Sequence, residues 1–340
     1  MPCYVGLDAS KKSTSVCVLD ARGQVLREGA VESTPSAIKG FLRGEGRRYA
    51  LVGIEAWSLA SWLYEGLAHA GLPVVCIEAT HAHVVLKAQP NKTDRADARG
   101  IAELMRIGSY RAVHVKTQES QRIRSMLTAR RFLKSKLVSL QSTIRGFLLG
   151  AGGKLDSGRV RTFGGRAQQL ARKDPFLRQL IEPLLEVWAL LVAKIHEFDD
   201  RLAEIAKADA VCQLLQTTPG IGPIAALTYR AAIDVPTRFA RSRDVGPHLG
   251  LVPRTYQSGD SERRGRISRR GNSEARAALY MSAVAMLRSN VRRSWLKDWA
   301  QEIAKRRGGK KAVVALARRL AVVLHKMWIT NTPFRWEAAS

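Results

Sequence analysis

Four carboxylates stand where a chain could set them to work on phosphate. Asp8 closes the apolar run Tyr4-Val-Gly-Leu7, and Glu55 closes Leu51-Val-Gly-Ile54. Asp94 and Asp97 lie three apart in Lys92-Thr-Asp-Arg-Ala-Asp-Ala-Arg99, a spacing that puts both on one face of a helix. An acid at the end of a buried strand is costly unless a cation or hydrogen bonds satisfy it. Carboxylates converging from strand ends and a helix face would make an all-oxygen site suited to Mg²⁺, with Mn²⁺ as its substitute. Such sites serve in-line phosphoryl transfer, with two ions about 3.5–4 Å apart stabilising the attacking and leaving oxygens. Each acid taken alone also has a structural reading. Asp94 suits a helix N-terminus, Asp97 could face Arg95 or Arg99, Glu55 could pair with a lysine, and Asp8 could open a turn. Their order on this strand pattern is what points to a metal site.

A second stretch could supply a nucleophile. Ser258 precedes Gly259, where the backbone turns freely, with Ser261 as its nearest rival. Arg254 lies before it; Arg263, Arg264, Arg266, Arg269, Arg270 and Arg276 follow, and guanidinium groups match phosphate oxygens in a bidentate way. A serine hydroxyl attacks poorly until a base or metal activates it. The nearest histidine is His248, which leaves a metal held by the carboxylates as the activator. On spacing alone the plainer reading is a Ser-Gly turn in a DNA-binding loop. Upstream, Thr218-Pro-Gly-Ile-Gly-Pro223 places Gly220 and Gly222 between helices, as in helix-hairpin-helix motifs whose backbone N–H groups hold one phosphate; a plain capping turn is the alternative. His81 and His83 are too few for a soft-metal site.

The elements that must position these residues follow from periodicity. Strands are expected at 4–8, 15–19 and 25–31, forming a meander, then at 50–55 and 74–77, with helices at 35–42, about 59–70 and 93–107. This is a mixed sheet with helices packed on it, spanning 1–110. From 111 to 209 the pattern becomes long helices, with Ile123, Leu127, Phe132, Leu133, Leu137, Leu140, Ile144 and Leu148 recurring mostly at three- and four-residue steps, a Gly-rich break at 150–165, and a second periodic run at 176–205. An antiparallel hairpin or dimerising coiled coil and an ordinary helical bundle fit these stripes equally. Residues 210–330 read as a helical domain with basic loops, and 331–340 as a tail, frayed after Phe334.

The charge points the same way. Of the 340 residues 56 are Lys or Arg and 29 Asp or Glu, a net +27, which calls for a polyanionic partner. Residues 1–110 hold only 13 basic and 11 acidic side chains, so the excess lies beyond them, and the first third reads as the chemistry and the rest as the grip. A membrane surface is the rival polyanion, but no run approaches the ~20 apolar residues of a spanning helix, and the start runs straight into a strand with no signal peptide. Cys3, Cys17, Cys76 and Cys212 form no CxxC pair and read as reduced core residues of a cytoplasmic protein.

Gly-Leu-Asp8, Gly-Ile-Glu55-Ala, Lys-Thr-Asp94-Arg-Ala-Asp97-Ala, Pro219-Gly-Ile-Gly222 and Gly250-Leu-Val-Pro-Arg-Thr-Tyr-Gln-Ser-Gly259 together resemble the DEDD transposases of the IS-one-ten class and the related Piv-type DNA invertases. The resemblance runs from Tyr4 to about Trp328. It departs at Trp57, where a smaller residue is expected, and at Asp260, an acid beside the serine. It implies an RNase H-like (RuvC-like) first domain with Asp8, Glu55, Asp94 and Asp97 as metal ligands, and a second domain from about 210 whose nucleophile falls on Ser258. It also implies homodimers or homotetramers with acids and serine in a composite site, acting on donor and target DNA. A noncoding bridge RNA would read sequence by base pairing. The expected activity is strand cleavage and exchange through a phosphoserine intermediate. The alternatives are a RuvC-like junction endonuclease using activated water and a non-catalytic nucleic-acid scaffold; the serine segment weighs against the first and the intact acids against the second.

Overall fold

The structure is a computed structural model that describes residues 1–43, 48–80, 93–156, 160–258, 261–288 and 290–337. It divides into two compact units, Met1–Lys116 and Thr117–Ser340. His81 and His83 lie outside the described residues.

The first unit is built on a five-stranded sheet. Strands β1 (Pro2–Ala9), β2 (Ser13–Leu19) and β3 (Val25–Glu32) form the expected antiparallel meander, and β4 (Arg48–Glu55) and β5 (Val74–Ile77) add on parallel to β1, in the order β3-β2-β1-β4-β5. Side chains alternate across a strand, so Val5, Leu7, Val16, Val18, Val52 and Ile54 fall on one face. They are buried there with Ile38 and Leu42 of helix α1 (Pro35–Leu42) and Leu63 and Leu67 of α2 (Ala60–His69). Helix α1 starts on Thr34, whose side chain accepts from the Ala37 N–H at 3.2 Å, with Pro35 in its first turn.

Helix α3 (Asp94–Ile107) covers the opposite face, burying Ile101, Leu104 and Met105. It lies unusually close. A Cβ on Gly6 would stand 2.0 Å from the Ala98 carbonyl oxygen and 2.4 Å from the Ala102 nitrogen, so only glycine lets helix and strand backbones meet. Thr93 caps the helix by accepting from the Ala96 N–H at 3.1 Å, and Gly108 ends it in the left-handed conformation.

In the second unit, α4 (Gln118–Gly150) and α6 (Pro175–Ala208) form an antiparallel hairpin. Ile123 and Leu127 share a buried cluster with Leu202 and Ala206, whereas Ile144 and Leu148 share another with Ile181 and Leu185. The Gly-rich break is shorter than its sequence suggests, because α5 (Val160–Ala171) begins inside it. Gly164 is used there for packing: a Cβ would lie 2.9 Å from the Trp188 ring.

The remaining helices close round the same core that takes in the base of the hairpin: α7 (Ala210–Gln216), α8 (Pro223–Ile233), α9 (Val245–His248), α10 (Ser273–Met286), α11 (Trp295–Arg307) and α12 (Gly309–Thr330). Buried Tyr229 donates to the Ala321 carbonyl at 2.7 Å. Two expectations change. The serine stretch is not a loop between helices but a β-hairpin, β6 (Pro253–Ser258) paired with β7 (Ser261–Ile267). The stretch after Phe334 is not frayed through 337: the Trp295 indole donates to the Arg335 carbonyl at 3.0 Å and the Trp336 ring packs edge-on against Phe334, which is itself buried with its N–H donating to the Thr217 hydroxyl at 3.0 Å. Two aromatic residues in that short run carry enough apolar surface to hold it down.

All four cysteines are free and buried. Burial pushes the Cys17 and Cys212 thiols up to about 12 and Cys76 up to about 11, with Glu28 adding to the effect at Cys17. Among the described residues no helix is long and apolar enough to cross a membrane.

Candidate functional site

The acids sit at one end of one face of the first unit. Leu7 of β1 pairs with Ile54 of β4, so Asp8 and Glu55 follow side by side at the C-terminal ends of adjacent parallel strands. Asp8 shares the face of Gly6 and Glu55 that of Gly53, which is the face that α3 covers. Arg106, near the far end of α3, donates to the Ala21 carbonyl at 3.3 Å, beside the turn that follows β2. That bond anchors the helix C-terminus at the start of β1 and carries its first turn, with Asp94 and Asp97, toward the end where Asp8 and Glu55 lie. The topology therefore brings all four predicted acids to one sheet end. Asp94 is exposed; Asp8, Glu55 and Asp97 are half-buried.

Arg95, between the two helix acids, is turned away to pair with Glu28 on β3. Glu28 also accepts from the Cys17 thiol at 3.4 Å. The donor set is four carboxylates, which fits a hard divalent ion by its chemistry. In this structure no three of them, nor any other three acidic, histidine or cysteine residues among the described ones, are gathered closely enough to hold one.

The second predicted group is placed by the β6–β7 hairpin. Ser258 ends β6, with its backbone in register with Ser261 across the turn. Arg263, Arg264 and Arg266 lie on β7. Arg254 on β6 is exposed and donates to the Ser268 carbonyl at 3.2 Å, across the base of the hairpin. The turn after β7 is strained: Arg269 has φ of +56°, and the Arg270 carbonyl fills the place a Cβ on Gly250 would take, at 2.0 Å. A left-handed non-glycine residue persists only when its surroundings fix it, and here the Arg269 N–H donates to the Gly250 carbonyl at 3.1 Å. Arg276 is spent on structure, donating to the Leu249 and Arg270 carbonyls at 2.9 and 3.2 Å, while burial and neighbouring Arg269 lower its affinity for its proton.

Gly220 and Gly222 sit in the turn between α7 and α8, both exposed. Gly220 has φ of +80°, and a Cβ there would lie 2.6 Å from the Ser282 carbonyl, so this glycine also lets the turn seat on α10. Gly222 meets nothing within 4 Å and precedes α8, leaving backbone at a helix start open to solvent.

Residues 5–152 match the family model of DEDD-type IS110 transposases, and residues 212–298 match that of the Transposase IS116/IS110/IS902 family. The chain is 30% identical to the transposase for insertion sequence element IS1111A of Coxiella burnetii, over 97% of its own length and 91% of that protein. The chain belongs to the IS110 family of DEDD transposases. It is similar too, at 28% identity over 97% of its length and 98% of the other, to a probable family 20 transposase of Pseudomonas aeruginosa. A pilin gene-inverting protein of Moraxella bovis is 31% identical over 36% of this chain and 38% of its own. The first matched stretch of this IS110-family transposase contains the sheet end with its four acids, and its DEDD class implies use of a divalent metal. The second holds the glycine turn and the β6–β7 hairpin.

One feature of this transposase lies partly beyond both matched stretches and outside the sequence expectations. Helices α11 and α12 face the hairpin across a groove whose far wall is basic. Its signal was present in the spacing of Lys311 and Arg318, seven residues apart on one face of α12, with Arg307 at the end of α11.

Proposed function

We propose that this transposase cuts and rejoins DNA by transesterification, with Ser258 as nucleophile and Asp8, Glu55, Asp94 and Asp97 as the ligands of its divalent ions. The observation that supports the reading is the shared sheet end: the ends of two adjacent strands and the first turn of a capped helix, distant in sequence, turn four carboxylates toward it. Mg²⁺ or Mn²⁺ bound there would neutralise charge on phosphate oxygens. In the covalent step the Ser258 oxygen bonds to phosphorus, the bond from phosphorus to one deoxyribose oxygen breaks, and the serine proton passes to that departing hydroxyl. Attack by the hydroxyl of another DNA end reverses the exchange and restores the serine. No phosphoester energy is lost to water, which is what strand exchange requires.

The arginines of the hairpin and its following turn, Arg254, Arg263, Arg264, Arg266, Arg269 and Arg270, would hold phosphates around that reaction. The Gly220–Gly222 turn would hold one more through backbone N–H groups, as a helix-hairpin-helix. A structured noncoding RNA is the inferred guide, and a net charge of +27 is consistent with a second polyanion beside DNA. Assembly into dimers or tetramers is supported by Phe132, Val138 and Leu190, apolar yet exposed along the shaft of the helical hairpin.

The test is trapping. Reactions on nicked DNA, run on denaturing gels, are expected to give a protein–DNA adduct that maps to Ser258 and is absent in Ser258→Ala. Cleaved DNA without an adduct, together with normal cleavage by Ser258→Ala, would replace this reading by a nuclease that uses water.

A further inference from the structure

A groove of the second unit has a volume of about 1630 Å³, far more than a single phosphate fills. One wall is the hairpin side, with Arg263, Arg266 and the strained Arg269. The other is helical, with Arg307, Lys310, Lys311 and Arg318. Among the described residues that line it there is no acid. Such a concentration of exposed like charge destabilises a free protein and is maintained where a polyanion offsets it.

Two aromatic side chains sit among these cations. Trp299 of α11 is 37% exposed and Tyr256 of β6 is 57% exposed. The Arg319 guanidinium lies 6.0 Å from the Trp299 ring centroid and 5.7 Å from that of Trp295, so cation–π attraction helps to hold the indole in place. A duplex keeps its bases stacked on each other and offers a groove little but phosphate. A single strand offers base faces as well, and it is these that exposed aromatic rings between rows of cations accommodate.

We infer that this groove binds a single nucleic-acid strand, its phosphates between the hairpin arginines and the α11–α12 cations and its bases stacked on Trp299 and Tyr256. The inference is independent of the nucleophile: it rests on residues of the groove alone, several of them outside both family matches. It gives the C-terminal helices a function of their own, as the far wall of a strand-holding channel beside the hairpin that ends in Ser258.

The experiment uses the full chain and fluorescent oligonucleotides of ~16 nucleotides, a length at the upper end of strand-binding sites. Three arms are compared: oligo-dT, oligo-U and a duplex. Trp299→Ala and Tyr256→Ala are each expected to weaken single-strand binding by about 10-fold while leaving duplex binding unchanged, and Trp299→Phe is expected to retain it. Joint replacement of Lys310, Lys311 and Arg318 by alanine is expected to weaken it further and to flatten its salt dependence by roughly 0.7 for each phosphate no longer neutralised. Binding of either strand supports the inference, and the tighter of the two names the source. Wild-type single-strand affinity in Trp299→Ala and Tyr256→Ala would overturn it, as would an equal loss of duplex binding, which would make the groove a general electrostatic surface. Ser258→Ala is expected to bind the strand normally, so a failed trapping experiment and a failed strand-binding experiment remain distinguishable.

Discussion

The two units hold the side chains proposed to function by opposite means. Residues 1–116 carry 15 basic and 11 acidic side chains, and their acids are placed by backbone packing: strand register sets Asp8 beside Glu55, and a helix resting on Gly6 sets Asp94 and Asp97. Residues 117–340 carry 41 basic and 18 acidic side chains, and most of the cations named here are long, exposed and free to adjust. Carboxylates that must share an ion tolerate little displacement. Cations that meet a polyanion through water and counterions tolerate a great deal. Rigid placement of a few charges and loose provision of many are thus separated along the chain.

The largest effect that could break this contrast comes from the acids. Asp8→Asn and Asp94→Asn keep shape and lose charge, so strand cleavage is expected to fall to background while nucleic-acid binding by gel shift stays at the wild-type level. Cleavage surviving in both variants would make the acids structural. Gly6→Ala comes next, because both atoms it meets are backbone and cannot swing aside. It should cost about 3 kcal/mol in the unfolding of the first unit and abolish cleavage, whereas Gly53→Ala, whose Cβ would meet side-chain atoms of Met105 and Ile101 rather than backbone, should cost less in the same denaturant titration.

On the other side of the contrast, Arg263→Ala with Arg266→Ala should leave chemistry intact at low salt. It should reduce the slope of log affinity against log salt on duplex DNA by roughly 0.9 for each phosphate released, and a loss of cleavage at saturating DNA would show that these arginines position the reaction as well as hold the substrate. Thr93→Ala removes a cap and should cost about 1 kcal/mol in thermal unfolding, with cleavage reduced more than binding.

The smallest effect is common to both units. The buried thiols bind their protons more tightly folded than unfolded, so their contribution to stability is complete below the ordinary thiol value of 9.0. It should be lost as the pH climbs from there toward about 12, visible as a falling unfolding midpoint that Cys17→Ser and Cys212→Ser each make shallower.

The sheet was legible because it obeys period two wherever one face is buried: Val5, Leu7, Val52 and Ile54 announce both the strands and the acids that end them. Close backbone approach was not legible, since nothing in Val-Gly-Leu says that a helix will rest on Gly6. The β6–β7 hairpin escaped for a related reason. A two-stranded ribbon with exposed positions on both sides has no alternation to betray it, and Ser-Glu-Arg-Arg-Gly-Arg-Ile reads as a charged loop. Helix α5 was hidden by Gly164 and Gly165, the first of which is small for the sake of Trp188. The far wall of the groove was visible as charge but not as a surface, because only the fold sets α11 and α12 opposite the hairpin.

The packed C-terminal segment bears on how the protein is made. Every described strand of the first unit has been synthesised by residue 77 and its closing helix by 107, so that unit can form while synthesis continues. The core of the second is bracketed by Ile123 at one extreme and Phe334 at the other, and pairings of such long sequence separation form late and slowly. Translation therefore completes the unit with the proposed metal ligands before the one with the proposed nucleophile and the grip. A product cut short in its last dozen residues would keep its carboxylates in order and lack the aromatic clasp that closes the core on which its cationic walls are built.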